Sequence, residues 1–326
     1  GSEMCIRDSF LPAEKNPIGF HALNKIEANT KKAKGKKYSK VFGDWLSKKV
    51  EEGDDDLVAI TPAMSEGSGM NDFAKENPDK FYDVAIAEQH SMTFAAGLAK
   101  EGKKPILAIY STFLQRAYDQ LIHDVALQKL DVTLAIDRAG FVGGDGATHA
   151  GIFDVSYLRC IPNMVIMSPS DENECWKMLS TGYNYLGPAA IRYPRGEGPG
   201  TEILKSFDLL EIGKARVINE ALSDLVIFSF GNMLNISMEI SDEIGCSLVD
   251  MRFIKPLDEE LIEKYAKTHK YIITIEENVI SGGAGSAVNE YLTKIGYSDK
   301  LKIFGVPDDF PIVGSQEDQR EAAGLT

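Results

Sequence analysis

The chain has 326 residues, 44% hydrophobic and 26% charged, which is close to the globular average and disfavours disorder and fibrous repeats. Its 35 basic and 49 acidic residues give a net charge of −14, which predicts neither nucleic acid nor an anionic membrane as a partner. No apolar run approaches the ~20 residues that span a bilayer, and no signal peptide is recognisable. We expect a cytoplasmic protein of roughly two domains.

The four cysteines, Cys5, Cys160, Cys175 and Cys246, form no Cys-x-x-Cys pair, and none has a histidine at metal-ligand spacing. This pattern argues against a zinc site and against a disulfide framework. It predicts reduced, mostly buried thiols, as is typical of the cytoplasm.

Residues 1–37 are predicted to be a non-native start followed by an interdomain linker. Residues 1–9 have no periodicity and begin with Gly-Ser, which is typical of a cloning remnant. A segment with proline and lysine follows from Leu11 to Ile26, and the polar, basic run Ala28–Lys37 is typical of a solvated linker.

Residues 38–198 are predicted to form an α/β domain. Apolar spacing predicts a helix over Ser39–Lys49 with Ser39 as its N-cap. The predicted strands are Leu57–Thr61, Tyr82–Ala87, Ile106–Tyr110, Val132–Ile136, Met164–Met167 and Ala189–Tyr193. The other predicted helices are Glu88–Lys100, Tyr118–Gln128 and Asp171–Tyr185, the last capped by Ser170. Strands without alternation, each followed by a helix, indicate a parallel sheet buried on both faces.

Residues 199–326 are predicted to form a second, smaller α/β domain, after a Pro- and Gly-rich break near Gly196–Gly200. Its predicted strands are Leu225–Phe230, Ser247–Val249, Tyr271–Ile275 and Leu301–Phe304. Its predicted helices are Asn232–Ile244, Leu257–Lys267 and Gly285–Lys294. The glycine run Ser281–Glu290 lacks the third glycine of a dinucleotide motif and indicates tight packing at a helix start.

Glu88, in "AIAEQHS", is the first candidate for chemistry. It lies where a strand gives way to a helix, at the sheet edge where open α/β folds bind ligands. Poor solvation at the end of an apolar strand would suit it to donate a proton. The alternative, which position alone does not exclude, is that Glu88 caps the following helix.

A second candidate group follows the strand that ends at Tyr110, in "AIYSTFLQRAYDQLIHD". Phe113 and Arg116 are expected on the connecting turn, where an aromatic ring and a guanidinium suit a flat heterocycle or a phosphate. The alternative is that Phe113 belongs to the core and Arg116 to the surface. His123 is expected to be buried and structural.

The third and fourth groups also follow strands. Asp137 and Arg138 precede a glycine-dense loop that carries Asp145 and His149, and such residues are unusual in a pure connector. In "IRYPRGE", Arg195 lies on a turn made rigid by proline, where arginine is a good bidentate phosphate ligand. A surface arginine in a linker is an equal alternative for this position.

These strings together resemble the 1-deoxy-D-xylulose-5-phosphate synthase family, thiamine-diphosphate enzymes of the transketolase superfamily, from about Leu11 to the end. The matching strings are "PAEKNPIGFHA", "ITPAMSEGSGM", "DVAIAEQH", "AIYSTFLQRAYDQ", "YLRCIPNMVIMSPSDENE", "RYPRG" and "VDMRFIKPLD". The resemblance implies a homodimeric, three-domain transferase that joins pyruvate to D-glyceraldehyde 3-phosphate with loss of carbon dioxide. That reaction feeds isoprenoid (terpenoid), thiamine and pyridoxal biosynthesis.

The resemblance further implies that this chain comprises the pyrimidine-binding domain and the C-terminal domain, without the N-terminal domain that holds the diphosphate and its magnesium. The family's magnesium motif is a Gly-Asp-Gly followed at some distance by an asparagine that closes an apolar strand. Residues 144–146 and Asn173 match the letters, but Asn173 opens a helix instead. We therefore predict no metal ligand in this chain and place the Mg²⁺ ligands in the N-terminal domain.

Roles for single residues are likewise implied by the resemblance. Glu88 corresponds to the catalytic glutamate that hydrogen-bonds a pyrimidine ring nitrogen. Phe113 corresponds to the aromatic residue that stacks on the pyrimidine, with Arg116 beside it. Arg138 and Arg195 correspond to the pair that grips the phosphate of the acceptor.

The remaining implied roles concern the substrates. Tyr110 corresponds to a residue near the substrate, and Asp145 and His149 to a loop that contacts pyruvate-derived intermediates. His21, in "GFHA", corresponds to a linker histidine that reaches the active site, whereas the residues alone predict an ordinary loop position.

Two alternatives remain open from the sequence. The β subunit of a 2-oxo-acid dehydrogenase has the same pair of domains and takes its diphosphate site from a separate α chain. The "FHA" linker, the "DRAG" and "DGATH" strings and "RYPRG" weigh against it. The other alternative is an inert fragment or assembly partner that needs a separate N-terminal domain chain, and this chain alone is expected to be inactive.

Overall fold

The computed structural model describes residues 11–15 and 35–326. Residues 11–15 form a short helix, α1 (Leu11–Lys15), which belongs to a separate unit. Residues 35–326 belong to one compact unit that contains two sheets. Among the helices of these described ranges, none is long and apolar enough to cross a membrane.

The first part of the compact unit supplies six strands to a seven-stranded sheet. Its elements in chain order are α2 (Tyr38–Glu51), β1 (Leu57–Thr61), α3 (Asn71–Glu76), β2 (Phe81–Asp83), α4 (Glu88–Lys100), β3 (Lys104–Tyr110), α5 (Ser111–Leu114), α6 (Tyr118–Gln120), β4 (Thr133–Asp137), α7 (Asp154–Leu158), β5 (Val165–Met167), α8 (Glu172–Asn184) and β6 (Ala189–Arg192). These six strands run parallel to their neighbours.

The second part forms a five-stranded sheet. Its elements are β7 (Arg216–Asn219), β8 (Leu225–Ser229), α9 (Leu234–Ile244), β9 (Ser247–Asp250), β10 (Phe253–Lys255), α10 (Glu259–Thr268), β11 (Tyr271–Val279), α11 (Ala284–Ile295), β12 (Leu301–Val306) and α12 (Gln316–Ala322). The strand orders are β10-β5-β6-β4-β3-β1-β2 and β12-β11-β8-β9-β7. The predicted pair of mainly parallel α/β domains is confirmed.

Two strands at sheet edges were not predicted. β7 pairs antiparallel with β9, and β10 leaves the second domain to pair antiparallel with β5 of the first. Both strands are short, and each is a strand only because it pairs with a segment distant in the sequence. β10 ties the two domains together through backbone hydrogen bonds.

The first sheet is buried between two layers, which explains its non-alternating apolar strands. All residues of β1, β4 and β6 are buried. One face packs against α2 and α8, where Trp45 and Trp176 are fully buried. The other face packs against α4 and the helical segment after β3, in a core that continues into the second domain.

Both predicted serine caps are wrong. α2 begins at Tyr38, so Ser39 lies inside the helix. α8 is capped by Asp171, whose extended backbone lets its carboxylate accept the N–H of Glu174 at 2.8 Å. Ser170 instead donates to Asp250 of the second domain at 2.8 Å. Serine and aspartate are both good caps, and the sequence does not separate adjacent candidates.

The helix predicted over Tyr118–Gln128 is also different. After α6 the chain makes a π-helix over Leu121–Ala126, whose wider turn directs Leu121, Val125 and Ala126 inward. His123 is exposed and lies 3.0 Å from Asp119, so the prediction that it is buried is wrong.

The glycine run before α11 packs tightly, as predicted. The buried Glu276 carboxylate accepts the N–H groups of Ala284 and Gly285, each at 2.7 Å. A Cβ on Gly285 would lie 2.5 Å from Oγ1 of Thr274. Cys175 and Cys246 are buried free thiols, and Cys160 is exposed.

Candidate active site

The ends of three neighbouring strands, β3, β4 and β6, bring most candidate residues to one edge of the first sheet. In the register of the sheet, Tyr110 at the end of β3 lies beside Asp137 at the end of β4. Arg138 follows β4 directly, and Arg195 lies three residues beyond β6. Parallel strands end at a common edge, so residues far apart in sequence meet there.

An aromatic row covers this edge. The rings of Tyr110 and Phe113 are stacked, with centroids 5.7 Å apart and an interplanar angle of 14°. His149 meets Phe113 edge-on, with centroids 5.4 Å apart. Phe113 is placed here because a helix, not the predicted turn, begins immediately after β3. Phe113 is half-buried, so it packs against the core and also presents its ring to this aromatic row.

Arg138 is held against this row by three contacts. Its guanidinium carbon lies 4.0 Å from the ring centroid of Tyr110, in cation–π geometry. Its Nη1 donates to the carboxylate of Asp137 at 2.6 Å and to the carbonyl of Gly67 at 2.8 Å. Its Nε has no partner among the described residues. The guanidinium is thus fixed in place beside the aromatic row.

Arg138 is positioned by Asp137, which the sequence analysis named without a role, and by Gly67, which it missed. Asp137 also accepts the backbone N–H of Arg138 at 2.7 Å, where the arginine backbone is left-handed with φ +59°. A Cβ on Gly67 would lie 1.8 Å from the Tyr110 hydroxyl, so only glycine fits there. Asp137 was visible as the polar end of an apolar strand, whereas nothing in "SEGSGM" marks Gly67.

At this edge, burial raises the pKa values of two ionisable groups, and the positive charges of the arginines act to lower them. Burial raises the pKa of Asp137 to about 6, although the charges of Arg138 and Arg195 act to lower it. Burial also raises the pKa of Tyr110 to about 12, again against the two arginines. Tyr110 is therefore a neutral hydroxyl at physiological pH.

The glycine-rich loop (residues 140–151) carries two of the predicted residues, Asp145 and His149. Two backbone hydrogen bonds of 2.7 and 2.9 Å between its first and last residues close its base. Asp145 lies 3.4 Å from Nε of Arg195, and Nη1 of Arg195 donates to the carbonyl of Val142 at 2.6 Å. Arg195 is therefore held against the glycine-rich loop and is not free in a linker.

Glu88 is buried at the first turn of α4, with 2% of its surface exposed. It is the acidic residue of the first turn of α4, so the alternative, that it favours the helix start through the backbone dipole, stays open. Among the described residues its ion-pair partner is Arg116, at 3.5 Å, and the Arg116 side chain is 61% exposed. The pair thus combines a buried carboxylate with a solvent-facing guanidinium.

Of the predicted residues, Tyr110, Phe113, Arg138 and His149 form one connected group. Arg195 pairs with Asp145 of the glycine-rich loop, and Glu88 pairs with Arg116. His21 lies outside the described residues. Asn173 lies in α8 and accepts the N–H of Leu204, as a structural residue would. Within the described ranges no cluster of three or more His, Cys, Asp or Glu side chains is arranged to hold a metal ion.

Family models match both parts of the chain. Residues 34–201 match the transketolase pyrimidine-binding domain, and residues 213–326 match the transketolase C-terminal domain. Among solved structures, a split-gene transketolase described as an inactive β4 tetramer has a TM-score of 0.78 and 28% identity, covering 90% of this chain and 95% of that one. Transketolase from Campylobacter jejuni, at 18% identity, shares the fold with a TM-score of 0.72, over 98% of this chain and 49% of its own.

Curated relatives are more similar in sequence. The chain is 55% identical over 324 residues to the 1-deoxy-D-xylulose-5-phosphate synthase of Cellvibrio japonicus and 54% identical over 322 residues to that of Hahella chejuensis. Each alignment covers 97% of this chain and 50% of the relative. The chain thus spans about half the length of these relatives, and the resemblance inferred from sequence is confirmed.

Proposed function

Because this chain belongs to the transketolase family, with its pyrimidine-binding and C-terminal domains, we propose that it is the C-terminal portion of a 1-deoxy-D-xylulose-5-phosphate synthase. The whole enzyme would join pyruvate to D-glyceraldehyde 3-phosphate with loss of carbon dioxide. The observation that carries the proposal is the aromatic row flanked by Arg138 and Arg195 at one sheet edge. The 55% identity to such synthases over 97% of the chain supports it.

The residues present fit the pyrimidine end of thiamine diphosphate. A flat heterocycle needs an aromatic surface and a polar partner for its ring nitrogens, and half-buried Phe113 and buried Glu88 offer these. When bound, thiamine diphosphate supplies the carbon nucleophile for the reaction. Phe113 would stack on its pyrimidine and Arg116 would lie beside it.

Glu88 would hold a proton shared with a pyrimidine ring nitrogen. Its burial keeps water from competing for that hydrogen bond, which strengthens the contact in a less polar environment. Arg116, 3.5 Å away, places a positive charge beside the carboxyl group.

Arg138 and Arg195 would bind the phosphate of D-glyceraldehyde 3-phosphate, with the neutral Tyr110 hydroxyl beside them. Asp137 and Gly67 fix the orientation of Arg138, so little side-chain entropy is lost on binding. Asp145 and His149 would contact the pyruvate-derived part of the substrate, and we assign His21 to the same site by resemblance alone.

Several features of the whole enzyme are part of the same proposal. The Mg²⁺ ligands would lie in an N-terminal domain, on this chain or on another, and the enzyme would be a cytoplasmic homodimer that feeds isoprenoid, thiamine and pyridoxal biosynthesis. We place the domain boundaries at residues 38–198 and 199–326, after a linker. The dehydrogenase β-subunit alternative is not favoured, because the similarity to synthases extends over both domains.

The test is reconstitution with the N-terminal domain of a relative such as the Cellvibrio japonicus synthase. Since no strand-borne magnesium motif is found in these 326 residues, we expect them alone to form no product from pyruvate and D-glyceraldehyde 3-phosphate. Adding the N-terminal domain should give turnover that depends on thiamine diphosphate and Mg²⁺. Steady turnover by the 326 residues alone, or transfer to a lipoyl acceptor but not to the aldehyde, would contradict the proposal.

A further inference from the structure

Gln319 of the C-terminal domain holds the glycine-rich loop through two hydrogen bonds to Gly143. It is buried on α12, where its Oε1 accepts the N–H of Gly143 at 2.8 Å and its Nε2 donates to the carbonyl of Gly143 at 3.2 Å. The same Nε2 donates to the carbonyl of Ile312 at 2.7 Å. A side-chain amide that both donates to and accepts from one residue fixes the orientation of that residue, much as a neighbouring strand does.

Gln316, on the same helix, joins the loop to the turn that carries Arg195. Its Nε2 donates to the carbonyl of Phe141 at 2.6 Å and to the carbonyl of Arg195 at 3.3 Å. Phe141 in turn donates its N–H to the buried carboxylate of Glu277 at 3.3 Å, and Glu277 is paired with Arg320 of α12. The C-terminal domain thus hydrogen-bonds both the N–H and the carbonyl of Phe141, the second residue of the loop.

The loop needs such support because of its composition. Gly140, Gly143 and Gly146 all have positive φ, which L side chains rarely adopt, so the loop depends on glycine. Glycine loses more conformational freedom on ordering than any other residue. The middle of the loop, including Asp145, is exposed, and the first domain contacts the loop through Arg195, Phe113 and Thr112. Contacts from the C-terminal domain add to these and help to select one conformation.

We propose that Gln319 and Gln316 are positioning residues, through which the C-terminal domain holds the glycine-rich loop ready for ligand. The candidate ligand-binding residues that the structure describes belong to the first domain, so this assignment gives the C-terminal domain a defined part in the site. Ordering the loop before binding spares the ligand that entropy loss. The proposal rests on the proposed function only for the identity of the ligand.

Backbone amide hydrogen exchange of the purified chain tests the clamp without any catalytic assay. In Gln319→Ala, we expect the loop amides near Gly143 to exchange at least about tenfold faster, while amides of β4 keep their rates. Gln319→Glu keeps the acceptor but sets a carboxylate against two carbonyls, and it should loosen the same amides. Glu321→Gln changes an exposed residue of the same helix and is the matched control, expected to behave as wild type.

A second measurement is ligand binding by calorimetry, with inorganic phosphate and D-glyceraldehyde 3-phosphate as probes. Gln319→Ala and Gln319→Glu should each weaken binding by roughly three- to tenfold, whereas Glu321→Gln should not. If the wild-type chain binds neither probe, the proposed phosphate clamp of Arg138 and Arg195 fails, while the exchange experiment still decides the role of the glutamines.

Because Gln319 is buried, its variants are first checked by thermal unfolding. Gln316 is only half-buried, so Gln316→Ala serves as the variant that retains the fold, and it should speed exchange near Phe141. Unchanged loop exchange in folded Gln319→Glu and Gln316→Ala would overturn the proposal. The two backbone bonds at the base of the loop would then be sufficient to hold it.

Discussion

The carboxyl edges of the two sheets are built alike but used differently. At the edge of the second sheet, Glu276 accepts two backbone N–H groups of α11, and Glu277 pairs with Arg320 and accepts from Asn232. Asp250 at the end of β9 pairs with Arg216 at 2.9 Å. Each of these buried acids is engaged with partners inside the protein.

The edge of the first sheet leaves polar groups incompletely paired. Glu88 is as buried as Glu276, yet among the described residues it has only the exposed Arg116 at 3.5 Å. The contrast lies in the acids, since those at the second edge bond to groups inside the protein, whereas Glu88 at the first edge has a solvent-facing partner.

The largest expected effect contrasts the two buried glutamates, Glu88 and Glu276. In a reconstituted enzyme, Glu88→Gln should lower turnover by roughly 10²- to 10⁴-fold, because the amide cannot exchange a proton with the pyrimidine. Thermal stability should change little, since the ion-pair partner of Glu88, Arg116, is largely exposed. Glu276→Gln should instead lower the unfolding temperature, because the amide NH₂ would face a backbone N–H.

Steady-state kinetics and thermal unfolding of both variants measure this contrast. A Glu88→Gln enzyme with wild-type turnover would reduce Glu88 to a residue that only favours the start of α4. A strongly destabilised Glu88→Gln protein would show that it has a structural partner after all.

The next effect contrasts Arg138 with Arg192, which ends β6. Arg192 is buried, and its Nε donates to both oxygens of buried Asp154 at 2.9 and 3.1 Å. Arg192→Ala leaves that carboxylate unpaired and should reduce the free energy of unfolding by about 3–5 kcal/mol. Arg138→Ala also removes the partner of buried Asp137 and should lower stability too, but it should in addition raise the Michaelis constant for D-glyceraldehyde 3-phosphate by roughly ten- to a hundredfold.

The Michaelis constant for pyruvate is the internal control for Arg138→Ala, because pyruvate carries no phosphate. Equal increases in both constants would contradict a phosphate clamp. Denaturant unfolding of both arginine variants provides the stability comparison.

Much of the fold was predictable because buried parallel strands and their helices have strong local patterns. β1 and α4 were predicted at their observed bounds. β10 was not, because three residues become a strand only through a partner about 85 positions earlier, in β5. The π-helix after α6 and the choice of Asp171 as cap depend on tertiary packing in the same way.

The site was predictable to the extent that strand ends can be read from the sequence. Tyr110, Arg138 and Arg195 were found as polar residues after apolar strands, and their meeting follows from the parallel sheet. Gly67 and Gln319 were missed because their roles are contacts with residues 43 and 176 positions away. The functional roles of Glu88 and His149 came from family resemblance and stay predictions.

The smallest expected effect concerns pH and stability at the edge of the second sheet. Burial raises the pKa of Asp250 to about 6, since the nearby Arg216 offsets only part of the desolvation. The folded protein therefore binds a proton there more tightly than the unfolded chain, whose aspartates titrate near pH 4. The stability contributed by this proton is fully present below about pH 4 and is lost as the pH rises through about 6.

Asp250→Asn removes this titration, so between about pH 4 and pH 7 wild type should lose about 2 kcal/mol of unfolding free energy relative to the variant. Denaturant unfolding of both proteins at several pH values gives the difference directly. Asp242→Asn, an exposed change on α9, should follow the wild-type curve in parallel and is the control. If the unfolding free energy of Asp250→Asn changed with pH as that of wild type does, the Asp250 carboxylate would be as well stabilised in the folded protein as in water. The two sheet edges would then differ in whether their buried carboxylates have partners, but not in how much burial destabilises the charged form.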